Sequence, residues 1–430
     1  MNFFILNKKS ILLAVLILVF VSLRLFSADI YLKLSGHGQR TDIGIAGFVP
    51  KTPTVEESKY ARDLKMIVVN DLLFARYFNI IESGPAYTGK QGEMEQWKDN
   101  GANILVAGDI KITEKNINLT IKLYDVFSNA SIWEKSFIKH IKSYRMLAHQ
   151  VNNEIIKYLV GEEGIAETKI AFVSNKSGSK EIYLIDYDGY NLRRLTKTKS
   201  INVLPAWSPS GDEILFTTYI RSNPDLYSIS LKERKIKKIS TIQGLNTAAS
   251  FSPDGETIAL TISKGSYPNI YLISKNGQLI KQLTRRTSIE TSPSFSPNGK
   301  EIVYISDRPG YPQLYIMNID GGNVRRLYTK GFCDSPVWSP RGDKIVFSMR
   351  QNREKFDLYL YDLPTGRIKR LTQNEGNNEN PSWSPDGRFI VFSSTRTRQK
   401  CLYIMGIDGL GVRKLASIEG SSITPAWSPK

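Results

Sequence analysis

Hydrolysis by a serine nucleophile needs a Gly-x-Ser-x-Gly turn and a histidine base. The 430-residue sequence has no such turn, and its three histidines, His37, His140 and His149, all lie ahead of the repeats, in the leading domain. A zinc site on His-Glu-x-x-His or on paired Cys/His spacings is missing too, as is a glycine-rich phosphate loop. Carboxylates do gather, in Asp186-Tyr187-Asp188-Gly189 and Asp320-Gly321-Gly322. A calcium loop needs further spaced carboxylates, so these segments read as hairpin turns. The polar residues left over for chemistry are amides, hydroxyls and acids suited to holding another protein by hydrogen bonds. No catalytic residue and no enzyme activity are expected.

What positions those residues is a repeat. Tyr183, Tyr227, Tyr271, Tyr315, Tyr359 and Tyr403 stand 44 residues apart, each preceded by Ile or Leu. Ile170, Ile214, Ile258, Ile302, Ile345 and Ile390 open apolar runs at nearly the same interval. Trp207, Phe251, Phe295, Trp338, Trp383 and Trp427 each precede Ser-Pro. A period in the low forties built from short strands and Gly-bearing turns is what a four-stranded propeller blade needs. The Ile and Tyr columns begin without an aromatic strand before them, whereas the aromatic column runs on to Trp427. One blade is therefore split: residues 421–430 supply the inner strand for residues 169–196, and the C-terminal strand closes the ring like velcro.

The expected fold is an all-β six-bladed propeller over residues 169–430, preceded by a small α+β domain at 28–160 and a linker at 161–168. In the leading domain, helical spacing predicts helices over 55–75 and 141–160. Strands are expected at 29–35, 43–49, 78–82, 103–112, 117–127 and 131–138, with an irregular polar stretch around Trp97. Residues 1–27 have the shape of a cleavable secretory signal: Lys8 and Lys9, then the apolar run Ile11–Val21. That reading places the mature chain outside the cytoplasm. Two cysteines, Cys333 and Cys401, cannot be a disulfide framework.

The net charge of +17 is largely periodic. Arg193, Lys237, Lys281, Arg325, Lys369 and Arg413 mark the outermost strand of each blade, with Arg194, Lys238, Arg326, Arg370 and Lys414 beside all but one. Neighbours on a strand face opposite ways, so the expected role is to blunt exposed strand edges rather than to form a nucleic-acid surface.

Loops leading into each inner strand open onto one face of a propeller, together with the loops between second and third strands. The candidates for a partner surface at this channel mouth are Leu245, Asn246, Thr247, Ala248, Glu290, Thr291, Ser292, Asp334, Asn378 and Glu379. Carboxylates converging there from several blades leave a channel-bound calcium ion open; otherwise no cofactor is expected.

Repeats of the form P-x-[WF]-S-P-[DN]-G-x-x-I, seen best in PSWSPDGRFIVFSS at 381–394 and PAWSPK at 425–430, behind a signal and a small α+β domain, resemble the TolB family of the Tol-Pal envelope system. The resemblance implies a non-catalytic, monomeric periplasmic adaptor. It would bind the peptidoglycan-associated lipoprotein Pal at the channel mouth and TolA through its mature N-terminal segment, here Ala28, Asp29, Ile30, Tyr31, Leu32, Lys33 and Leu34. Roles in outer-membrane integrity, cell division and colicin import come with the same resemblance, as do further contacts with outer-membrane or peptidoglycan-associated proteins. Ala249 departs from the proline found before the other aromatics. The alternatives are a propeller hydrolase or lyase, which the lack of a propeller histidine disfavours, and a carbohydrate binder, for which only Tyr267, Tyr311 and Phe332 offer mouth aromatics.

Overall fold

The computed structural model describes residues 40–265, 267–351, 355–373 and 375–430. The expected signal, the 29–35 strand and the Ala28–Leu34 segment lie outside the described residues. The chain forms two compact units divided between Gly164 and Ile165, and among the described residues no helix is long and apolar enough to cross a membrane.

In the first unit a sheet of order β3-β1-β4-β5-β6 is built from β1 (Thr41–Ile45), β3 (Phe78–Ile81), β4 (Ile104–Thr113), β5 (Asn116–Asp125) and β6 (Ala130–His140), with the short β2 (Val49–Pro50) also pairing with β4. The strand expected over 43–49 is thus broken, at Ala46–Phe48. Helix α1 (Val55–Ala75) starts at Thr54, whose hydroxyl accepts from Glu57 N. The Glu57 carboxylate in turn accepts from Thr52 N and Ile112 N, each at 2.8 Å, tying helix to sheet. Helix α2 (Glu93–Asp99) replaces the irregular stretch expected around Trp97, and the indole is fully buried beneath it. That one aromatic fixed the segment, because its large apolar surface could be covered only by folding the polar residues around it. Helix α3 (Tyr144–Val160) comes after a single 3-10 turn at Ile141–Ser143, so it starts three residues later than its periodicity suggests.

The second unit consists, among the described residues, of six four-stranded antiparallel sheets, the blades. Blade 1 joins Ser422–Trp427 to Lys169–Ser174, Glu181–Asp186 and Arg193–Arg194, so the ring closes by the expected split. Blades 2 to 6 begin at inner strands Asn202–Trp207, Asn246–Phe251, Glu290–Phe295, Phe332–Trp338 and Asn378–Trp383. The tyrosine column is core. Five of the six tyrosines oppose an aromatic on the second strand, as in Phe172–Tyr183 and Tyr304–Tyr315, with ring centroids 5.9 Å apart in both.

The outer-strand cations do more than blunt edges. Lys281 Nζ donates to Asp320 O at 2.7 Å and Lys369 Nζ to Asp408 O at 2.9 Å, each reaching a turn of the following blade. Their neighbours point inward: Arg194 pairs with Glu181 at 2.9 Å and Arg326 donates to Gln313 at 3.0 Å.

Candidate partner-binding site at the channel mouth

Each inner strand is bulged at the same place. The register shifts between Val203 and Ala206, Thr247 and Ser250, Thr291 and Ser294, Asp334 and Val337, Glu379 and Ser382, and Ile423 and Ala426. Inside each bulge one non-glycine residue is left-handed: Leu204, Ala248, Ser292, Ser335, Asn380 and Thr424, with φ between 46° and 55°. Such a backbone costs an L-residue roughly 1–2 kcal/mol, so six in register are sustained by the surrounding frame. The bulge re-aims the strand, and all six residues line an axial cavity of about 360 Å³. Behind them Pro205, Ala249, Pro293, Pro336, Pro381 and Pro425 form a second ring. Small side chains around an axis suit a protein loop or chain end that inserts and meets hydroxyls and amides.

Of the ten mouth residues expected from sequence, Ala248 and Ser292 belong to this lining. Asn246, Glu290 and Asn378 are fully buried, a correction to their expected place on the surface. They hold the loops. Asn246 accepts from Ser240 Oγ at 2.7 Å and donates to Gly244 O at 3.0 Å. Glu290 accepts from Arg308 at 2.8 Å and from Ser306 at 2.8 Å. Asn378 donates to Asp357 Oδ1 at 3.0 Å, and Thr372 donates to the same oxygen at 2.6 Å. A polar group with no water must find a protein partner, and the first residue of five of the six inner strands is buried in the blade stack, with Cys333, the second residue, at that place in blade 5.

The next column is half-buried and joins neighbouring blades. Thr217 Oγ1 donates to Thr247 Oγ1 at 3.1 Å, and the Thr261 and Thr291 hydroxyls meet at 3.2 Å. Glu379 pairs with Lys400 at 3.0 Å. Leu245 is latched through its backbone N–H to Ser263 Oγ at 2.9 Å. Burial pushes the Asp334 carboxyl above the usual range, against the hydrogen bond from Ser335 N, and the nearby Glu379 adds to the rise. Among the described residues no group of three or more His, Cys, Asp or Glu is placed to hold a metal ion. Cys333 and Cys401 are both buried and free, and burial pushes the Cys333 thiol up to about 12.

The lining residues that sequence reasoning missed, Leu204, Ser335, Asn380 and Thr424, stand three residues before each aromatic of the Trp/Phe column. The signal was their position in the repeat rather than their chemistry, which differs in every blade.

Comparison with known proteins agrees with this architecture in both units. Residues 156–430 match the TolB beta propeller domain and residues 34–132 the TolB amino-terminal domain. The chain belongs to the TolB family. Among the relatives similar to this chain is the Tol-Pal system protein TolB of Desulfosudis oleivorans, 34% identical over 225 residues, which are 50% of this chain and 51% of that one. The Tol-Pal system protein TolB of Geobacter sulfurreducens is 36% identical over 210 residues, 47% of this chain and 48% of that one. The chain thus spans about half the length of the curated relatives it matches. The crystal structure of TolB from Acinetobacter baumannii superposes with a TM-score of 0.80 at 28% identity, covering 91% of this chain and 98% of that chain.

Proposed function

We propose that this member of the TolB family is a non-catalytic periplasmic adaptor of the Tol-Pal system that docks the lipoprotein Pal on its channel mouth. The observation that carries the reading is the ring of six left-handed residues around the axial cavity, in a chain whose relatives bear the name Tol-Pal system protein TolB. Small, hydroxyl-bearing and apolar residues around a concave opening provide the buried centre that protein interfaces need, and the polar strand-initial residues keep that opening in shape. In the same reading residues 28–34 engage TolA by adding a strand to its sheet, after a cleavable signal has directed export. Contacts with other outer-membrane or peptidoglycan-associated proteins, and support of outer-membrane integrity and cell division, belong to this reading.

The test is titration of the mature chain with the soluble domain of Pal from the same organism. Ser292→Arg and Ala248→Arg, which fill the opening without touching the buried clamps, are expected to weaken binding at least tenfold while the thermal transition stays cooperative. Unaltered affinity in both variants would remove the mouth from consideration.

A further inference from the structure

In four blades the residue that closes the second strand at the mouth latches the incoming loop through a side-chain oxygen. Asn175 Oδ1 accepts from Ser421 N at 2.7 Å, Ser263 Oγ from Leu245 N at 2.9 Å, Asp307 Oδ1 from Ile289 N at 2.7 Å and Thr395 Oγ1 from Asn377 N at 2.8 Å. Blade 5 has Arg350 at this place, and an arginine has no acceptor to offer. The latch is abandoned. The guanidinium lies instead between two rings, its Cζ 4.7 Å from the Phe332 centroid and 5.2 Å from that of Phe356.

This box is held firmly. Phe332 opposes Arg350 across the strand ladder. Phe356 is pinned to the next mouth loop, its N–H donating to Asn377 Oδ1 at 2.9 Å and its carbonyl accepting from Asn378 N at 2.8 Å. The two rings meet edge to face with centroids 6.0 Å apart. Three half-buried arginines near the mouth are neutralised, Arg194 by Glu181, Arg308 by Glu290 and Arg396 by Glu375, whereas Arg221, Arg285, Arg286 and Arg398 stand exposed on the mouth loops. Arg350 has no side-chain hydrogen bond or ion pair among the described residues, and its Nε is buried without an acceptor. The latch is absent from two blades, blade 2, with Tyr219 at this place, and blade 5, and in blade 5 its absence leaves a positioned but unpaired charge, which marks a place kept for something outside the fold.

We propose that Arg350, clamped between Phe332 and Phe356, is the anchor for a carboxylate of the protein that docks on the mouth. Contact with both rings holds the guanidinium in place, so less side-chain freedom is lost when a partner engages its N–H donors. A planar fork matches a carboxylate with two parallel hydrogen bonds. The strongly positive chain adds long-range attraction for an acidic partner. The inference rests on the mouth reading above and names the group that the mouth recognises.

The experiment uses the mature chain and the soluble domain of Pal, measured by calorimetry at two salt concentrations. Arg350→Gln is expected to lower affinity on the order of 10- to 100-fold and to flatten the salt dependence. Arg350→Lys, which keeps the charge but loses the fork, should fall between, and melting curves report whether each variant is folded. Neutralising the acidic residues of Pal one at a time in a double-mutant cycle should reveal one whose loss has no further effect in Arg350→Gln. Wild-type affinity in Arg350→Gln, with Ser292→Arg still inactive, overturns the anchor and leaves the mouth reading standing. Loss of affinity without any coupled carboxylate makes Arg350 a packing residue and also overturns it. Wild-type affinity in both Arg350→Gln and Ser292→Arg rejects the mouth itself.

Discussion

The Trp207 indole nitrogen donates to the Ala426 carbonyl at 2.9 Å, across 219 residues of sequence. The first complete blade is thereby bonded to the last strand of the chain, and Trp427 repeats the link by donating to Thr168 Oγ1 at 2.9 Å. Ring closure is thus a matter of two indoles as well as a strand ladder. Trp207→Phe should cost about 1 kcal/mol in urea unfolding, the worth of one hydrogen bond. Deleting residues 421–430 should instead abolish the cooperative transition, since it strips the inner strand from blade 1 and exposes the edge of Lys169–Ser174. A truncated chain that still melts sharply would show that the other five blades close without it.

Glu290 is a buried carboxylate whose charge is matched by Arg308 at 2.8 Å. Removing only the arginine strands that charge, so Arg308→Met is expected to destabilise the unit by about 3 kcal/mol. The double variant Glu290→Gln, Arg308→Met should recover part of the loss. A double-mutant cycle in urea checks it, and additive losses would mean that the two residues do not act as a pair.

The acid range separates two carboxylates of opposite sign. Burial raises Asp334, so the folded state holds that proton more tightly than the unfolded chain does. Its favourable contribution is complete below about pH 4 and is lost as pH rises through the raised folded value. Asp334→Asn should therefore stabilise the chain at neutral pH and change little at the acid end. For Glu181, burial acts upward, but hydrogen bonds from Thr196, Lys199 N, Thr198 N and Arg194 outweigh it and hold the carboxyl below the usual range. Its contribution is present above the ordinary glutamate value and is lost as pH falls through the depressed one. Glu181→Gln should accordingly cost stability at neutral pH and progressively less in acid. Melting temperatures from acid to neutral pH check both signs.

Gly277 turns blade 3 against the outer strand of blade 2. Its φ is +89°, and an added Cβ would overlap the Ile239 carbonyl, which is backbone and cannot swing away. Gly277→Ala should cost more than about 2 kcal/mol. The same change at Gly265, where nothing lies within reach of a Cβ, should cost only the strain of the left-handed backbone. Equal losses at the two sites would show that the turn does not press on blade 2.

Much of the fold was legible because a propeller repeats its demands. A tyrosine every 44 residues, an aromatic before each Ser-Pro and a phase offset at the two ends were enough for six blades and their closure, since each column answers the same packing requirement in every blade. Helix α2 was not legible, because its seven residues are too few to show a period and a single tryptophan holds them. Within the mouth, sequence alone located the loops but not the direction of their side chains. Asn246, Glu290 and Asn378 look like surface residues by composition and are interior by register. Leu204, Ser335, Asn380 and Thr424 carry four different side chains, yet one bulge per blade turns all of them to the axis. A strand alternates its faces, so one extra residue swaps the face of every later position, and where that residue is accommodated depends on ladder bonds with a strand elsewhere in the chain. The sequence by itself thus determined how many blades there are and where their loops lie. Only the tertiary structure decided which residues of those loops hold the frame and which line the axial cavity.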